Sequence, residues 1–420
     1  MQALKNKGVI FKVGFFLALR QIRRASLWTT LLIIFVMTLT FLNLVVVSGV
    51  LVGLIEGSVS AYREQYSGYV YVKNLKNKET IEHTSEIAAV LKSMPEVKHY
   101  TVRLVSGGTV EANYRERHFD EAPNRLGANI AGIDPVEEDA ATGLSKHIIE
   151  GQYLDPNDSD QIIIGYNFLD QYSVVPDQVF TLLKNVRVGS KVRLSIGNVT
   201  KEYTVKGILK AKVDDIAFKI FMTDHELRAL SNAHNFDGSE IGVFLYDLNK
   251  ADYVKSVLIN NDFAKGADIK TWIEAQPKFL IDIKNTFALL GNAISSIGLV
   301  VAAVTLFIVI FINAITRRRY IGILKGIGIS ELAIEISYVL QSIFYAVVGS
   351  GVGLIVVYGL IKPALDAHPI NFPFSDGILV APLDATLMRV AILVVTTVIA
   401  GYIPAKLIVR RNTLSAILGR

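Results

Sequence analysis

Cysteine is absent from this 420-residue sequence, which excludes a disulfide framework, a thiolate metal site and a cysteine nucleophile. The redox compartment stays open, because a large exported domain folds without disulfides. Charge is sparse. Only 19% of residues are charged and 51% are apolar, against roughly 25% charged in soluble domains. No G-x-x-x-x-G-K-[ST] loop occurs, which excludes nucleotide hydrolysis by that route. H-E-x-x-H and G-x-S-x-G are missing as well. His83, His99, His118, His147, His225 and His234 are scattered without metal-ligand spacing and read as solvated or hydrogen-bonded side chains. No metal, cofactor or catalytic constellation is expected, so the chain is read as non-catalytic.

What the sequence does have is uncharged length. Residues 25–55, 285–316 and 336–361 are runs of 31, 32 and 26 positions without Asp, Glu, Lys or Arg. About 20 apolar residues cross a bilayer core as helix, so all three qualify as spans. A fourth run, 390–405, has 16 residues and becomes a span over 385–405 if Arg389 sits at the membrane edge and snorkels outward. The first run is about twice the length of a signal-peptide apolar region, which favours an uncleaved anchor. Arg389 apart, the spans hold no ionisable group, which argues against a proton- or ion-coupled carrier. Energy for any movement then comes from a partner. Gly349-Ser350-Gly351-Val352-Gly353 resembles a phosphate loop, but inside an uncharged span it reads as a close-packing face.

Cations set the orientation. Segments 1–24, 317–335 and 406–420 together hold 14 cations against 2 acids. The positive-inside rule puts these three in the cytoplasm. Residues 56–284 hold 27 cations and 33 acids, net −6, and are assigned outside, as is the short loop 362–384. The sequence pI near 9.0 therefore follows from topology, and nucleic-acid binding loses its main support. Within 1–24, Phe11, Phe15, Leu19 and Ile22 recur at helical spacing among basic residues. They predict an amphipathic elbow helix lying on the cytoplasmic lipid surface.

The outside segment reads as mixed α/β. Strands are predicted at 69–73, 97–105, 128–134, 161–164 and 241–246, and helices at 81–92, 165–172 and 250–259. Val192, Leu194 and Ile196 alternate, Gly197-Asn198 turns the chain, and Tyr203 and Val205 resume the alternation, a hairpin pattern. Asp224 is expected to cap a helix over 224–230. The layout suggests two subdomains, with a block at about 129–235 inserted into the first.

Two motifs point to partners. Ile321, Gly322, Ile323, Leu324, Lys325, Gly326, Ile327 and Gly328 follow the cationic Arg317-Arg318-Arg319 stop. They predict a short helix broken at Gly326 and Gly328, with Ser330 capping the next helix and Glu331 in its first turn. Ile321, Leu324 and Ile327 would form an apolar stripe, buried either in lipid headgroups or in a groove of a cytosolic protein. Gly49, Gly53 and Gly57 make a G-x-x-x-G-x-x-x-G face, which serves either a subunit interface or packing within the subunit.

The segment 317–330 resembles the R-R-x-E-I-G-I-L-K-A-I-G-A-S signature of FtsX-like and MacB-like ABC-transporter permeases. Leu19-Arg20-Gln21-Ile22-Arg23-Arg24 is similar to their A-L-R-N-L-R-R start, and Gly401-Tyr402-Ile403-Pro404-Ala405-Lys406 to their G-x-x-P-A-x-x-A close. Gly132-Ile133-Asp134-Pro135, Glu150-Gly151-Gln152-Tyr153-Leu154 and Ile162-Ile163-Ile164-Gly165 resemble most the lipoprotein-release permeases of that family. Tyr320 stands where the family has Glu, and Asn412-Thr413-Leu414-Ser415-Ala416-Ile417 replaces its D-P-x-x-A-L-R ending. The resemblance implies four spans carrying an external α/β domain, porter-like with an inserted part. It implies a permease dimer, homo- or heteromeric, on two cytosolic ABC ATPase subunits, with the 321–328 helix as the coupling contact. It also implies work on lipoprotein or other amphipathic cargo at the outer side, with or without an external adaptor. A signalling scaffold that activates an external cell-wall hydrolase without transport is the alternative.

Overall fold

The computed structural model describes residues 2–115, 122–172, 182–233, 235–368, 370–372, 375–377 and 379–410. His118, His234 and the tail motif at 412–417 lie outside them. The chain divides into two compact units, one of Met1–Glu56, Asp282–Asn371 and Asp376–Arg420, the other of Gly57–Ile281 with Phe372–Ser375.

The first unit is helical. An elbow helix, Gln2–Arg23, precedes four helices long and apolar enough to cross a membrane: Leu27–Ser67, Lys278–Thr316, Glu331–Ala367 and Leu383–Val409. The first two have 41 and 39 residues and run roughly 60 Å, about twice a ~30 Å hydrocarbon core. They continue past the uncharged runs because loss of charge marks the lipid-facing part of a helix, not its end. On the extensions, Lys284 Nζ lies 3.2 Å from Glu56 Oε2.

Glycine permits the closest approaches between helices. A Cβ on Gly349 would run into Met37, one on Gly353 into the Phe41 ring, and one on Gly401 into Ser342. Thr38 Oγ1 donates to the buried carbonyl of Gly349 at 3.1 Å. The Gly349–Gly353 run is thus a close-packing face against the first span. Met37, Phe41, Leu306, Ile334 and Leu393 fill the core between the helices. Leu27, Trp28, Leu31 and Phe35 face outward, as lipid contact requires. The elbow helix buries Leu17 and Ala18 while Phe11, Phe15, Phe16 and Leu19 stay exposed. Gly14 seats it on the third span, where a Cβ would lie 2.8 Å from Ile336 Cγ2.

The second unit is built on one ten-stranded sheet. Its strands are β1 (Val70–Asn74), β2 (Val97–Ala112), β3 (Arg125–Ile133), β4 (Ile148–Gly151), β5 (Gln161–Gly165), β6 (Lys191–Ile196), β7 (Val199–Leu209), β8 (Lys219–Thr223), β9 (Glu240–Leu245) and β10 (Ala267–Thr271). The order is β10-β1-β9-β2-β3-β8-β5-β7-β4, with β6 joining β2 and β7. β2 belongs to both halves: Val97–Arg103 pairs with β9, and Leu104–Glu111 with β3. The second half therefore starts inside β2, upstream of residue 129, because one long strand serves two cores. In the first half Val70, Val72, Ile241 and Val243 pack under the helices Thr84–Ser93 and Ala251–Asn260. In the second half Ile130, Ile162, Val205 and Ile220 form the core. Each such side chain contributes about 1.5–3 kcal/mol on burial.

Two local expectations need correction. The chain over 165–172 makes two separate 3₁₀ turns, Tyr166–Phe168 and Asp170–Tyr172. The helix Asp224–Ser231 has Thr223 at its N-cap with no side-chain cap bond. Asp224 instead accepts from Arg228 Nε at 2.6 Å, an i,i+4 pair one residue inside the helix. Asp134 is a true cap, accepting from Val136 N at 2.9 Å and Glu137 N at 3.2 Å.

Candidate functional site

Between the second and third spans the chain forms the short helix Arg318–Gly326. It ends at Gly328, whose φ of +88° suits glycine and strains other residues. Ile329 N reaches back to the Leu324 carbonyl at 3.0 Å. Ser330 then caps the third span, its Oγ accepting from Ala333 N at 3.3 Å. Lys325 fastens the turn: its Nζ donates to the Val409 carbonyl at 2.9 Å and sits 2.7 Å from Glu331 Oε1.

The faces of this helix differ from the stripe read in sequence. Ile321, Gly322 and Leu324 are buried, Ile321 and Leu324 within the helical core. Ile327 is 71% exposed, Ile323 47% and Tyr320 45%, and Gly326 and Gly328 are exposed with them. The free apolar stripe is Tyr320, Ile323 and Ile327, at i, i+3 and i+7. Ile321 and Leu324 serve as roots because the bundle takes the opposite face of the helix. The signal for Tyr320 was its spacing from Ile323 and Ile327, which a reading anchored on Ile321 passes over.

The glycine face is occupied from inside the chain at one position. Val380 N donates to the Gly49 carbonyl at 3.2 Å, and a Cβ on Gly49 would lie 2.8 Å from Leu379 Cδ1 and from the Val380 carbonyl. Gly49 is thus used in packing within the subunit. Gly53 is buried and Gly57 half-buried.

Arg389 does not snorkel outward. It turns inward, Nη2 donating to Ser48 Oγ at 3.0 Å, while its Nη1 is buried without a hydrogen-bond partner. The first span offers a hydroxyl there, and a guanidinium gains more from a buried acceptor than from an apolar edge. Asn43, in the π-turn Asn43–Val47, has a buried and unpartnered Oδ1.

The sheet unit holds a buried ionic network of its own. Arg103, fully buried, grips Glu138 through Nε at 2.9 Å and Nη2 at 2.7 Å, and its Nη1 donates to the Tyr66 carbonyl at 2.9 Å. Burial works against the Arg103 charge, but Glu138 outweighs it and holds the pKa above its ordinary value. Lys219 and Glu240 lie 3.5 Å apart, with the Tyr66 hydroxyl bridging them. Burial lowers the Lys219 pKa. Near Glu240, burial first and then the Glu240 charge push Asp215 up to about 6. A surface cleft of about 480 Å³ opens nearby in the same unit, lined among others by Tyr100, Val102, His225, Arg228 and Phe236. Among the described residues no three His, Asp or Glu side chains gather as a metal site.

Comparison with known proteins finds relatives of parts of this chain. The ABC transporter permease YtrF of Bacillus subtilis is 25% identical over 251 residues, 54% of this chain and 56% of that one. The uncharacterized ABC transporter permease MJ1507 of Methanocaldococcus jannaschii is 26% identical over 278 residues, 65% of each. This chain therefore matches less than two thirds of the length of either relative. Among solved structures, the extracellular domain of the noncanonic ABC-type transporter YknZ from Gram-positive bacteria aligns at 14% identity. Its TM-score is 0.32, over 48% of this chain and 99% of that one. The periplasmic region of MacB from Actinobacillus actinomycetemcomitans aligns at 14% identity and a TM-score of 0.34, over 51% and 97%. Residues 292–413, which hold most of the second span, the short helix and the third and fourth spans, match the FtsX-like permease C-terminal family. That segment is similar to FtsX-like permeases, and the four long apolar helices indicate a membrane protein.

Proposed function

We propose that this chain is the transmembrane permease subunit of an ABC transporter. In this reading separate cytosolic ATPase subunits hydrolyse ATP, and their closure is passed through the helix Arg318–Gly326 into the spans. Both termini lie in the cytoplasm, the chain sits in the cell inner membrane, and the sheet unit works outside. Two permease subunits, identical or not, form the dimer, with half-buried Gly57 of the glycine face at their contact. The work done is mechanical: movement of the outer unit extrudes or releases lipoprotein or another amphipathic cargo, as in the lipoprotein-release branch.

One observation carries this reading. The short helix offers Ile323 and Ile327 to solvent on one side while Leu324 and Lys325 fix its other side to the third and fourth spans. An apolar tip rigidly attached to transmembrane helices suits transmission of a push from a cytosolic groove. The relatives named as ABC transporter permeases support the same assignment.

Co-expression with the ATPase subunit of the same operon tests it. The expected outcome is co-purification in mild detergent and ATP hydrolysis that depends on the permease. A chain that purifies alone, with no effect on hydrolysis, overturns the proposal. A photo-crosslinking residue at exposed Phe236 on the rim of the cleft reports the outer partner. Lipid-anchored cargo supports transport, whereas a cell-wall hydrolase or its activator replaces transport with signalling.

A further inference from the structure

At the membrane face where the elbow helix meets the second span, a pocket of about 330 Å³ is lined by Leu17, Arg20, Gln21, Arg24, Arg317 and Tyr320. Three of these six residues are arginines, and none of the three has an ion-pair partner among the described residues. Three like charges around one cavity repel each other unless an anion joins them. The surroundings are already committed elsewhere. Gln21 accepts from Gln341 Nε2 at 2.6 Å, Glu331 is taken by Lys325, and Leu17 is packed into the bundle. A second observation lies on the helix that carries Gln341: three residues before it, the Tyr338 hydroxyl is buried without a hydrogen-bond partner.

We propose that this pocket binds the phosphate of an anionic phospholipid of the adjoining leaflet, with Arg20, Arg24 and Arg317 as its ligands. Guanidinium forks match phosphate oxygens in pairs, and basic pockets between spans hold acidic headgroups. A lipid fits better than a free anion because the pocket sits where the chain enters the bilayer. The exposed pair Leu27 and Trp28 begins three residues beyond Arg24 and offers acyl chains an apolar surface. A bound lipid there would brace the elbow helix against the start of the short helix Arg318–Gly326. The inference rests on the four helices crossing a bilayer and is independent of transport.

The test uses the full chain in mild detergent, titrated with phosphatidylglycerol or phosphatidylcholine and read by native mass spectrometry. Wild type is expected to retain phosphatidylglycerol preferentially. Arg20→Gln, Arg24→Gln and Arg317→Gln are each expected to weaken retention roughly fivefold. The triple variant Lys12→Gln, Arg23→Gln, Arg319→Gln, which removes three charges outside the pocket where each pocket variant removes one, is expected to leave retention unchanged. Arg24 is exposed, so its single variant reports binding even if the others fold poorly. Undiminished retention in the pocket variants overturns the proposal, as does an equal loss in the control. Displacement of the lipid by millimolar inorganic phosphate reassigns the site to a free anion. Pocket variants that keep lipid but lose a co-purifying ATPase subunit reassign it to an acidic side chain of that partner. Either reassignment ends the lipid proposal, and neither depends on whether cargo is moved.

Discussion

Asp215 shows how a single group ties the sheet unit to pH. Burial and the nearby Glu240 raise its pKa from 3.8 to about 6, with Lys73 and Arg103 pulling the other way and Asp214 adding to the rise. The folded chain therefore binds this proton more tightly than the unfolded one. The stability gained is full below the ordinary value and is lost as pH rises through about 6. Asp215→Asn is expected to raise stability near pH 7.5 by roughly 2 kcal/mol and to have no such effect near pH 4. Thermal unfolding of the solubilised full chain at the two pH values checks this. Gly349 makes the opposite point, since its value lies in what it lacks. Gly349→Leu has no room against Met37 and is expected to cost at least about 2 kcal/mol of bundle stability, measured as loss of monodisperse protein on heating in detergent.

At the scale of one element, the helix Arg318–Gly326 separates two kinds of mutation that sequence alone merges. Leu324 faces the bundle, so Leu324→Ala is expected to cost about 2–4 kcal/mol through a cavity and to lower yield and thermal stability. Ile327 faces solvent, so Ile327→Asp is expected to leave stability within about 0.5 kcal/mol. It should nevertheless abolish ATPase co-purification, because a carboxylate enters an apolar groove only at a cost of several kcal/mol. Thermal stability and co-purification of both variants, measured together, give the check. An Ile327→Asp variant that still couples hydrolysis would remove the tip from the interface.

For the whole molecule, orientation is the decisive property. Segments 1–24, 317–335 and 406–420 are basic, and 56–284 is net −6, so the positive-inside rule makes a single arrangement favourable. Protease added to the outside of intact spheroplasts is expected to cut within 57–281 and to spare both termini. Cleavage of the sheet unit only after the membrane is breached would reverse the topology and end the transport reading. The two longest helices, with 41 and 39 residues, exceed what a bilayer needs.

Much of this was legible in order and composition. Long uncharged runs can be stable only in lipid or a large core, so the spans could be counted without coordinates. The Gly197-Asn198 turn, the Ser330 cap and the break at Gly328 were equally readable, because each depends on backbone geometry within a few residues. Facing was not. Whether Leu324 or Ile323 looks outward depends on where the third and fourth spans stand, and whether Arg389 turns to solvent depends on Ser48, 341 positions away in the chain. The same holds for β2, whose two halves serve different cores, and for the gathering of Arg20, Arg24 and Arg317 around one cavity. Local sequence determines which backbone forms, through periodicity, caps and charge; only the packing of distant segments decides which side of each element remains free to meet a partner.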